Sequence, residues 1–282
     1  PQVGRVKIGV KINPHNASTR DAADRVKALF DGKVEHFKIL DEDAALKNMY
    51  TTPKKVKDDF DLLLVLGGDG TLLTAGRFAA ASALPVLGIN LGRFGFLSEL
   101  SLDELPYYAD AIVSKMYAVE ERMILQAQIP NGDTFIAVND FVVHETSLVK
   151  TSYLHFAIDG EEFPSIPGDG IIVSTPTGST AYNLSAGGSI VSPGVKAIAL
   201  ALICPHVLTA RPLVLPPETR VTIFTRAESI LTVDGQYGSV IPPNAEVTII
   251  NSPYTLNLAR LKNLPFYQAL KKKFGWGEGR KE

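Results

Sequence analysis

A glycine-rich turn directly after a buried strand is the feature that most constrains the fold of this chain. Residues 61 to 71 read Asp-Leu-Leu-Leu-Val-Leu-Gly-Gly-Asp-Gly-Thr. An unbroken apolar run such as Leu62 to Leu66 is typical of a strand that is covered on both faces, as in parallel sheets. The glycines permit a tight turn and the close approach of a ligand. The residues after Thr71 predict a helix whose free N–H groups favour an anion.

Asp69 stands in the middle of this turn, where a helix N-terminus would otherwise receive a phosphate group. A carboxylate there opposes anion binding unless a metal ion bridges the two. The alternative is that the carboxylate accepts a proton from a nucleophile. Both uses indicate phosphoryl transfer.

The composition is that of an ordinary globular protein. The chain has 282 residues, enough for two domains, and is 45% hydrophobic and 21% charged. The net charge of −2 argues against a nucleic-acid partner, and no apolar run reaches the length of a membrane span. We expect a cytoplasmic protein without a membrane partner. The single cysteine, Cys204, follows an apolar run, and we expect it in the core rather than as a nucleophile.

The pattern of predicted elements divides the chain. Strand-like and helix-like segments alternate over the first hundred residues or so, which predicts an α/β domain with a parallel sheet. Short strands separated by turn residues then predict a mostly antiparallel, β-rich domain. Helical spacing returns after Pro265, and we expect this final helix to pack back on the N-terminal domain. The predicted domain limits are 1–101 for the α/β domain, 102–258 for the β-rich domain and 259–282 for the C-terminal helix and tail.

Two polar clusters in the second half are candidates for ligand binding. Asn139-Asp140 interrupts an apolar run, and an amide beside a carboxylate suits a base edge or ribose hydroxyls; a bulge or strand end is the alternative. The second cluster reads Ser-Thr-Pro-Thr-Gly-Ser-Thr-Ala-Tyr from 174 to 182. Its hydroxyls suit phosphate or ribose, Ala181 leaves room for a flat ring, and Tyr182 can stack or donate. A polar turn that caps the next helix is the alternative.

Most familiar catalytic motifs are absent from the sequence. No Gly-Lys-Ser or Gly-Lys-Thr of a Walker A loop occurs, and the glycines around Asp69 do not complete a dinucleotide fingerprint because residue 73 is Leu. The five histidines are scattered, and one cysteine cannot build a zinc site.

Taken together, the motifs resemble the NAD kinase family over nearly the whole chain. The family's Gly-Gly-Asp-Gly-Thr loop is present at residues 67–71, and a Gly-x-x-Gly-Phe-Leu element follows at 92–97. The Asn–acidic pair is Asn139-Asp140, the Thr-Pro-Thr-Gly-Ser-Thr-Ala-Tyr segment is complete at 175–182, and an Asp-Gly-Gln turn matches at 234–236. Two positions depart from the family pattern: Asp140 replaces a frequent Glu, and Phe94 replaces a smaller aliphatic residue.

The resemblance implies a reaction and a set of site residues. The protein would phosphorylate the 2′-hydroxyl of the adenosine ribose of NAD to give NADP, with ATP or polyphosphate as donor and a divalent cation, expected to be Mg²⁺. The family's tendency is toward homodimers or homotetramers. Asp69 would take the proton from the 2′-hydroxyl, and backbone N–H groups of Gly67, Gly68, Gly70 and Thr71 would hold phosphates. The NAD-binding residues would be Phe96, Asn139, Asp140, Asp169, Thr180, Ala181, Tyr182, Ser185 and Gln236.

Two other functions fit parts of the pattern. A lipid or sphingoid-base kinase shares the glycine loop and a β-rich second half, but the only basic cluster for a membrane surface is Lys271 to Lys273. A non-catalytic dinucleotide sensor would bind NAD or NADP, but a passive binder gains little from Asp69 among phosphates.

Overall fold

The computed structural model describes residues 5–13, 17–40, 60–92, 95–146, 152–262 and 266–276. These residues form two compact units. Within the described ranges, unit 1 contains residues 5–40, 60–121 and 256–276, and unit 2 contains residues 122–255. The chain therefore leaves unit 1 after Glu121 and returns to it at Leu256. The limits expected at residues 101 and 258 remain predictions about domain boundaries.

Unit 1 is built on a parallel sheet with strand order β2-β1-β3-β4. Strand β1 lies between β2 and β3, so the strand order reverses there. Ligands of such sheets bind at the carboxyl ends of the strands beside this point. The glycine turn follows the carboxyl end of β3. The elements are β1 (Lys7–Ile12), α1 (Ala17–Phe30), β2 (His36–Leu40), β3 (Leu62–Leu66), α2 (Asp69–Ala80), β4 (Val86–Asn90), β5 (Leu100–Ser101) and α3 (Leu105–Val113).

The core of unit 1 explains why the apolar runs form strands. All five residues of β3 are buried, and so are all five residues of β4. Helix α1 turns Ala22, Ala23 and Val26 onto this sheet, which buries them. Burial on both faces of the strands is what the unbroken run of leucines predicts for a parallel sheet.

Unit 2 consists of antiparallel strands around a second core. Strands β14-β13-β12-β8-β16-β17 form one sheet in that order, and β10-β9-β15-β18 pair in another. The strands are β6 (Ala118–Gln128), which starts in unit 1, β7 (Thr134–Ala137), β8 (Asp140–Glu145), β9 (Tyr153–Ile158), β10 (Glu161–Glu162), β11 (Ile166–Pro167), β12 (Gly170–Ser174), β13 (Ile198–Ile203), β14 (Leu213–Leu215), β15 (Val221–Thr225), β16 (Ser229–Val233), β17 (Tyr237–Ile241) and β18 (Ala245–Arg260), with a 3₁₀ turn at Gly178–Thr180 and a short helix, α4 (Tyr182–Ser185), after β12.

Strand β18 carries the chain back into unit 1. Its Leu258 pairs in parallel with Val86 of β4. Glu99, only 2% exposed, then accepts hydrogen bonds from the N–H groups of Leu261 and Lys262 and from the Arg260 guanidinium. The final helix, α5 (Phe266–Phe274), packs rings of Phe266 and Phe274 against Phe96 at centroid distances of 6.1 Å. The predicted fold class, including the return of the last helix, is confirmed.

Two local features differ from what the sequence pattern predicted. The apolar run around Asn139 forms two strands, β7 and β8, that are separated at Val138 and Asn139. Cys204 is exposed, not in the core, because β13 ends at Ile203 and the chain turns at Cys204 with φ of +46°. Phe94 lies outside the described residues. Among the described residues, no helix combines the length and hydrophobicity that crossing a bilayer requires.

Candidate active site

The glycine turn of unit 1 places Asp69 as the first residue of α2. Its carboxylate accepts two backbone hydrogen bonds, from the N–H of Phe96 to Oδ2 at 2.9 Å and from the N–H of Leu97 to Oδ1 at 3.2 Å. The side chain is half-buried. Since each carboxylate oxygen has a second lone pair, Asp69 is fixed in direction and can still accept a proton.

Gly95 allows this arrangement because it has no side chain. A Cβ atom on Gly95 would lie 1.9 Å from Oδ1 of Asp69 and 2.6 Å from Oδ2. The second glycine of the Gly-x-x-Gly-Phe-Leu element is therefore needed for the close approach of the Asp69 carboxylate, whereas a Cβ on Gly92, the first, would meet nothing within 4 Å.

The other residues of the turn have distinct environments. Gly67 donates its N–H to the carbonyl of Ile89 at 3.0 Å, and a Cβ on Gly67 would lie 2.7 Å from the Thr71 hydroxyl. Gly68 and Gly70 are exposed, so a phosphate group can approach the turn. There it would meet the amides at the start of α2, which have no carbonyl partner within the helix.

Phe96 belongs to the same arrangement but has a covered ring. Phe266 and Phe274 contact the ring as described, and the Lys273 Nζ atom lies 5.0 Å from its centroid. Helix α5 thus holds the residue whose N–H binds Asp69. The sequence pattern predicted that α5 would return to unit 1, but it did not indicate this contact.

In unit 2, five of the predicted NAD-binding residues line one cavity of about 720 Å³. A volume of this size suits a small-molecule ligand. The five are Asn139 and Asp140 at the start of β8, Asp169 before β12, and Ala181 and Tyr182 at the start of α4. Residues far apart in the sequence are therefore brought together, as a binding site requires.

Asp234 is the residue that sequence reasoning missed. It follows β16 and lines the same cavity. Its Oδ1 accepts hydrogen bonds from the N–H groups of Asn139 at 2.6 Å and Asp140 at 3.2 Å, and its Oδ2 accepts one from Val138 at 3.2 Å. Asp234 thereby fixes the backbone between β7 and β8. The Asp-Gly-Gln turn marked this position in the sequence, but we assigned the ligand contact there to Gln236.

The position of Asp140 in the cavity perturbs its titration. It is 3% exposed, and burial, together with the nearby negative charge of Asp234, raises its pKa to about 7 from the ordinary value of 3.8. A buried carboxyl group without a compensating cation favours its neutral form. At neutral pH a large fraction of Asp140 is therefore a protonated acid.

The hydroxyl-rich segment serves the structure more than the cavity. Thr175 donates its hydroxyl to the Val138 carbonyl at 2.6 Å, and Ser179 lies buried between the backbone of Pro176 and that of Val191. A Cβ on Gly178 would lie 2.2 Å from the Asn139 carbonyl oxygen. The segment thus packs tightly behind Asn139, and this contact explains why residue 178 is glycine.

The remaining predicted site residues lie elsewhere. Thr180 donates its hydroxyl to the Thr177 carbonyl, Ser185 is exposed at the end of α4, and Gln236 is exposed in the turn after β16; none of the three lines the cavity. Asp69, Phe96 and the glycine turn belong to unit 1, whereas the residues from Asn139 to Gln236 belong to unit 2.

No ready-made metal centre is found in the part of the chain that the structure describes. No group of three or more His, Cys, Asp or Glu side chains in these ranges is arranged to hold a metal ion. The carboxylate of Asp69 is the acidic group at the glycine turn. This suits Mg²⁺, which commonly binds one or two carboxylates and the phosphates of a substrate.

Comparison with known proteins identifies the family. A family model described as the ATP-NAD kinase N-terminal domain matches residues 9–117, and one described as the ATP-NAD kinase C-terminal domain matches residues 138–261. The NAD kinase of Carboxydothermus hydrogenoformans is 44% identical over 77% of this chain and 80% of its own length. The NAD kinase of Sulfurimonas denitrificans is 34% identical over 96% of this chain and 98% of its own length.

Solved structures show the same fold. A yeast NADH kinase crystallised with NADH has a TM-score of 0.85 at 24% identity, covering 99% of this chain and 89% of its own. An NAD kinase from Archaeoglobus fulgidus crystallised with ATP has a TM-score of 0.75 at 24% identity, covering 94% and 98%. From the two matched domain models and the identities to the curated relatives, the chain belongs to the NAD kinase family of enzymes.

Proposed function

We propose that this protein transfers a phosphoryl group to the 2′-hydroxyl of the adenosine ribose of NAD and so makes NADP. The observation that carries the proposal is the Asp69 carboxylate, fixed at the N-terminus of α2 by the N–H groups of Phe96 and Leu97. The relatives at 34% and 44% identity are named NAD kinases, which supports NAD as acceptor.

In the proposed reaction Asp69 accepts the proton of the 2′-hydroxyl while that oxygen forms a bond to the terminal phosphorus of the donor. The bond from this phosphorus to the bridging oxygen breaks, and ADP leaves when ATP is the donor. Such a transfer demands positioning and neutralisation of charge more than covalent chemistry. The amides at the start of α2 would contact phosphate, and Mg²⁺, when bound with the donor, would neutralise its charge.

The cavity of unit 2 would bind NAD. Its wall carries the amide of Asn139, the carboxylate of Asp169 and the aromatic ring of Tyr182. The small side chain of Ala181 leaves space beside them. Tyr182 is 46% exposed, so its ring is available for stacking. The contacts with NAD that we propose for Thr180, Ser185 and Gln236 would lie at the edge of this cavity, because none of the three lines it.

The test is NADP formation by the purified protein from NAD and ATP with Mg²⁺. A dehydrogenase that is specific for NADP reads out the product and at the same time establishes the 2′-position of the phosphate. Parallel reactions replace ATP by polyphosphate, replace NAD by NADH, and omit Mg²⁺ in the presence of EDTA. NADP formation that depends on the divalent cation is expected.

A matched pair of variants tests the role of Asp69. Asp69→Asn should lower turnover roughly 10²–10⁴-fold, the usual contribution of a general base. Asp110→Asn is the control, because the Asp110 side chain of unit 1 is 92% exposed on α3. Equal activity of the two variants would remove Asp69 as the base. A folded wild-type protein that makes no NADP with either donor would instead favour a lipid kinase, tested with sphingosine and diacylglycerol, or a dinucleotide sensor, tested by NAD binding.

A further inference from the structure

We propose that Asp140 binds NAD as a neutral carboxylic acid, donating a hydrogen bond to an acceptor atom of the dinucleotide instead of accepting one from it. The acceptor would be a ring nitrogen, a ribose oxygen or the amide carbonyl of the nicotinamide. This inference rests on the proposed function, since it specifies how the cavity of unit 2 recognises NAD.

The first observation is the position of the Asp140 carboxyl group. The residue is 3% exposed and lines the cavity wall. Among the described residues its carboxyl oxygens make no hydrogen bond and no ion pair; the N–H of Asp140 is the group that bonds to Asp234. A polar group that is buried and faces a cavity without a partner is satisfied when a ligand supplies one.

The second observation is the contrast with Asp234. The carboxylate of Asp234 accepts three N–H groups, those of Val138, Asn139 and Asp140. Hydrogen bonds from donors stabilise the charged form of a carboxylate, and two neighbouring carboxylates resist being ionised together. Three N–H donors thus offset the burial of the Asp234 carboxylate, whereas among the described residues no such donor offsets the burial of the Asp140 carboxyl group, which favours the neutral form of Asp140.

The described residues of the cavity include no lysine or arginine that could neutralise an ionised Asp140. The titratable groups that share it with Asp140 are His144 and Glu145 on β8, Asp169 before β12, Tyr182 on α4 and Asp234 after β16; of the described residues that line the cavity, none is Lys or Arg. Glu145 accepts a hydrogen bond from the Ser152 hydroxyl at 2.8 Å. Burial first, and the nearby negative charge of Asp234 second, raise the pKa of Asp140 to about 7.

Loss of the proton removes the donor and adds a charge. The affinity for NAD should therefore fall as the pH rises above about 7, approaching tenfold per pH unit because one proton is required for binding. Replacement by Asn keeps a neutral side chain with N–H donors at the same position. Asp140→Asn should therefore bind NAD at pH 6 about as well as the wild type and lose the pH dependence above pH 7.

The binding experiment uses the intact protein and NAD without a phosphoryl donor. Isothermal titration calorimetry between pH 6 and pH 9 gives the affinity of the wild type, Asp140→Asn, Asp140→Ala and Glu246→Gln. Asp140→Ala should bind roughly 10-fold more weakly than the wild type at pH 6, because it lacks the donor. Glu246 is an exposed carboxylate on β18, and its variant should follow the wild-type pH profile.

A second measurement examines the free protein and needs no ligand. The carbonyl stretch of a protonated carboxylic acid is recorded by infrared spectroscopy, and the Asp140→Asn spectrum is subtracted from that of the wild type. A protonated band should persist to about pH 7 and shift when NAD is added.

The results of these experiments distinguish failure of the neutral-acid inference from failure of the proposed function. A wild-type affinity that is constant between pH 6 and pH 9, or an Asp140→Asn variant as weak as Asp140→Ala, overturns the neutral-acid inference and leaves the proposed function standing. Absence of an Asp140 band above pH 5 overturns it as well. A folded wild-type protein that fails to bind NAD at every pH overturns the proposed function itself.

Discussion

Gly95 and Asp69 approach so closely that a single methyl group cannot be placed between them: a Cβ on Gly95 would lie 1.9 Å from the Asp69 Oδ1 atom. Gly95→Ala must therefore displace the carboxylate, and we expect turnover to fall by roughly 10²–10⁴-fold, as when a general base is lost. Steady-state NADP formation measures this, with thermal unfolding to show that the variant folds. Gly92→Ala is the control, since its added Cβ has nothing within 4 Å. Equal turnover of the two variants would show that Asp69 need not hold this position.

The backbone between β7 and β8 depends on Asp234. In Asp234→Asn one oxygen becomes an NH₂ group, so at least one of the N–H groups of Val138, Asn139 and Asp140 loses its acceptor. We expect the free energy of unfolding to fall by about 1–3 kcal/mol and the KM for NAD to rise. Urea denaturation and initial rates measure the two effects. Asp133→Asn, an exposed turn carboxylate of unit 2, is the control. An unchanged KM in Asp234→Asn would contradict the anchoring role.

Helix α5 supports Asp69 through Phe96. Phe266→Ala removes a ring that packs against Phe96, and we expect a loss of about 1–2 kcal/mol in the free energy of unfolding, because the ring is only partly buried. We also expect a lower kcat, since the Phe96 N–H that binds Asp69 becomes less firmly placed. Gln268→Ala, on the exposed side of α5, should match the wild type. If kcat is unaffected in Phe266→Ala, the helix contributes stability alone.

Asp140 makes the stability of the fold dependent on pH. Its pKa is about 7 in the folded protein and near 3.8 when the chain is unfolded, so the folded state binds the extra proton between these values. The stabilisation that this proton contributes to the folded state is therefore complete below about pH 4. It falls as the pH rises and is lost once the pH has passed 7. Between pH 5 and pH 8 the wild type should lose about 3 kcal/mol relative to Asp140→Asn.

Urea denaturation of both proteins across this pH range measures the difference, with Glu246→Gln as a surface control. Parallel pH profiles for the wild type and Asp140→Asn would show that Asp140 does not carry the proton.

The sequence predicts best what depends on local patterns. The buried run Leu62 to Leu66, the glycine turn and the first strand-helix alternation are readable because each burial pattern repeats within a few residues. Strand β18 shows the limit. It continues to Arg260 through Pro253, a residue that normally ends a strand, and only its pairing with β15 and then β4 reveals it as one element.

The candidate site shows the same limit. The polar residues around Asn139 stand out because they interrupt an apolar run, and those around Tyr182 because they directly follow an apolar strand; members of both groups line one cavity. Whether a hydroxyl faces a ligand or the backbone depends on contacts that a sequence does not show: Thr175 and Ser179 bond internally. Asp234 was overlooked for the same reason, since its three hydrogen bonds join positions almost a hundred residues away.

The discontinuity of unit 1 has a consequence for biosynthesis. While the ribosome is still translating the segment beyond Thr255, residues 122–255 are already made, and unit 2 has all of its described strands except the end of β18. In unit 1 the pairing of Leu258 with Val86 and the cover that α5 gives to Phe96 can form only after unit 2 has been synthesised. The second unit in the chain is thus the first whose residues are all synthesised. A released chain that ends at Thr255 would contain every residue that lines the cavity of unit 2 but would lack the last strand segment and the final helix of unit 1.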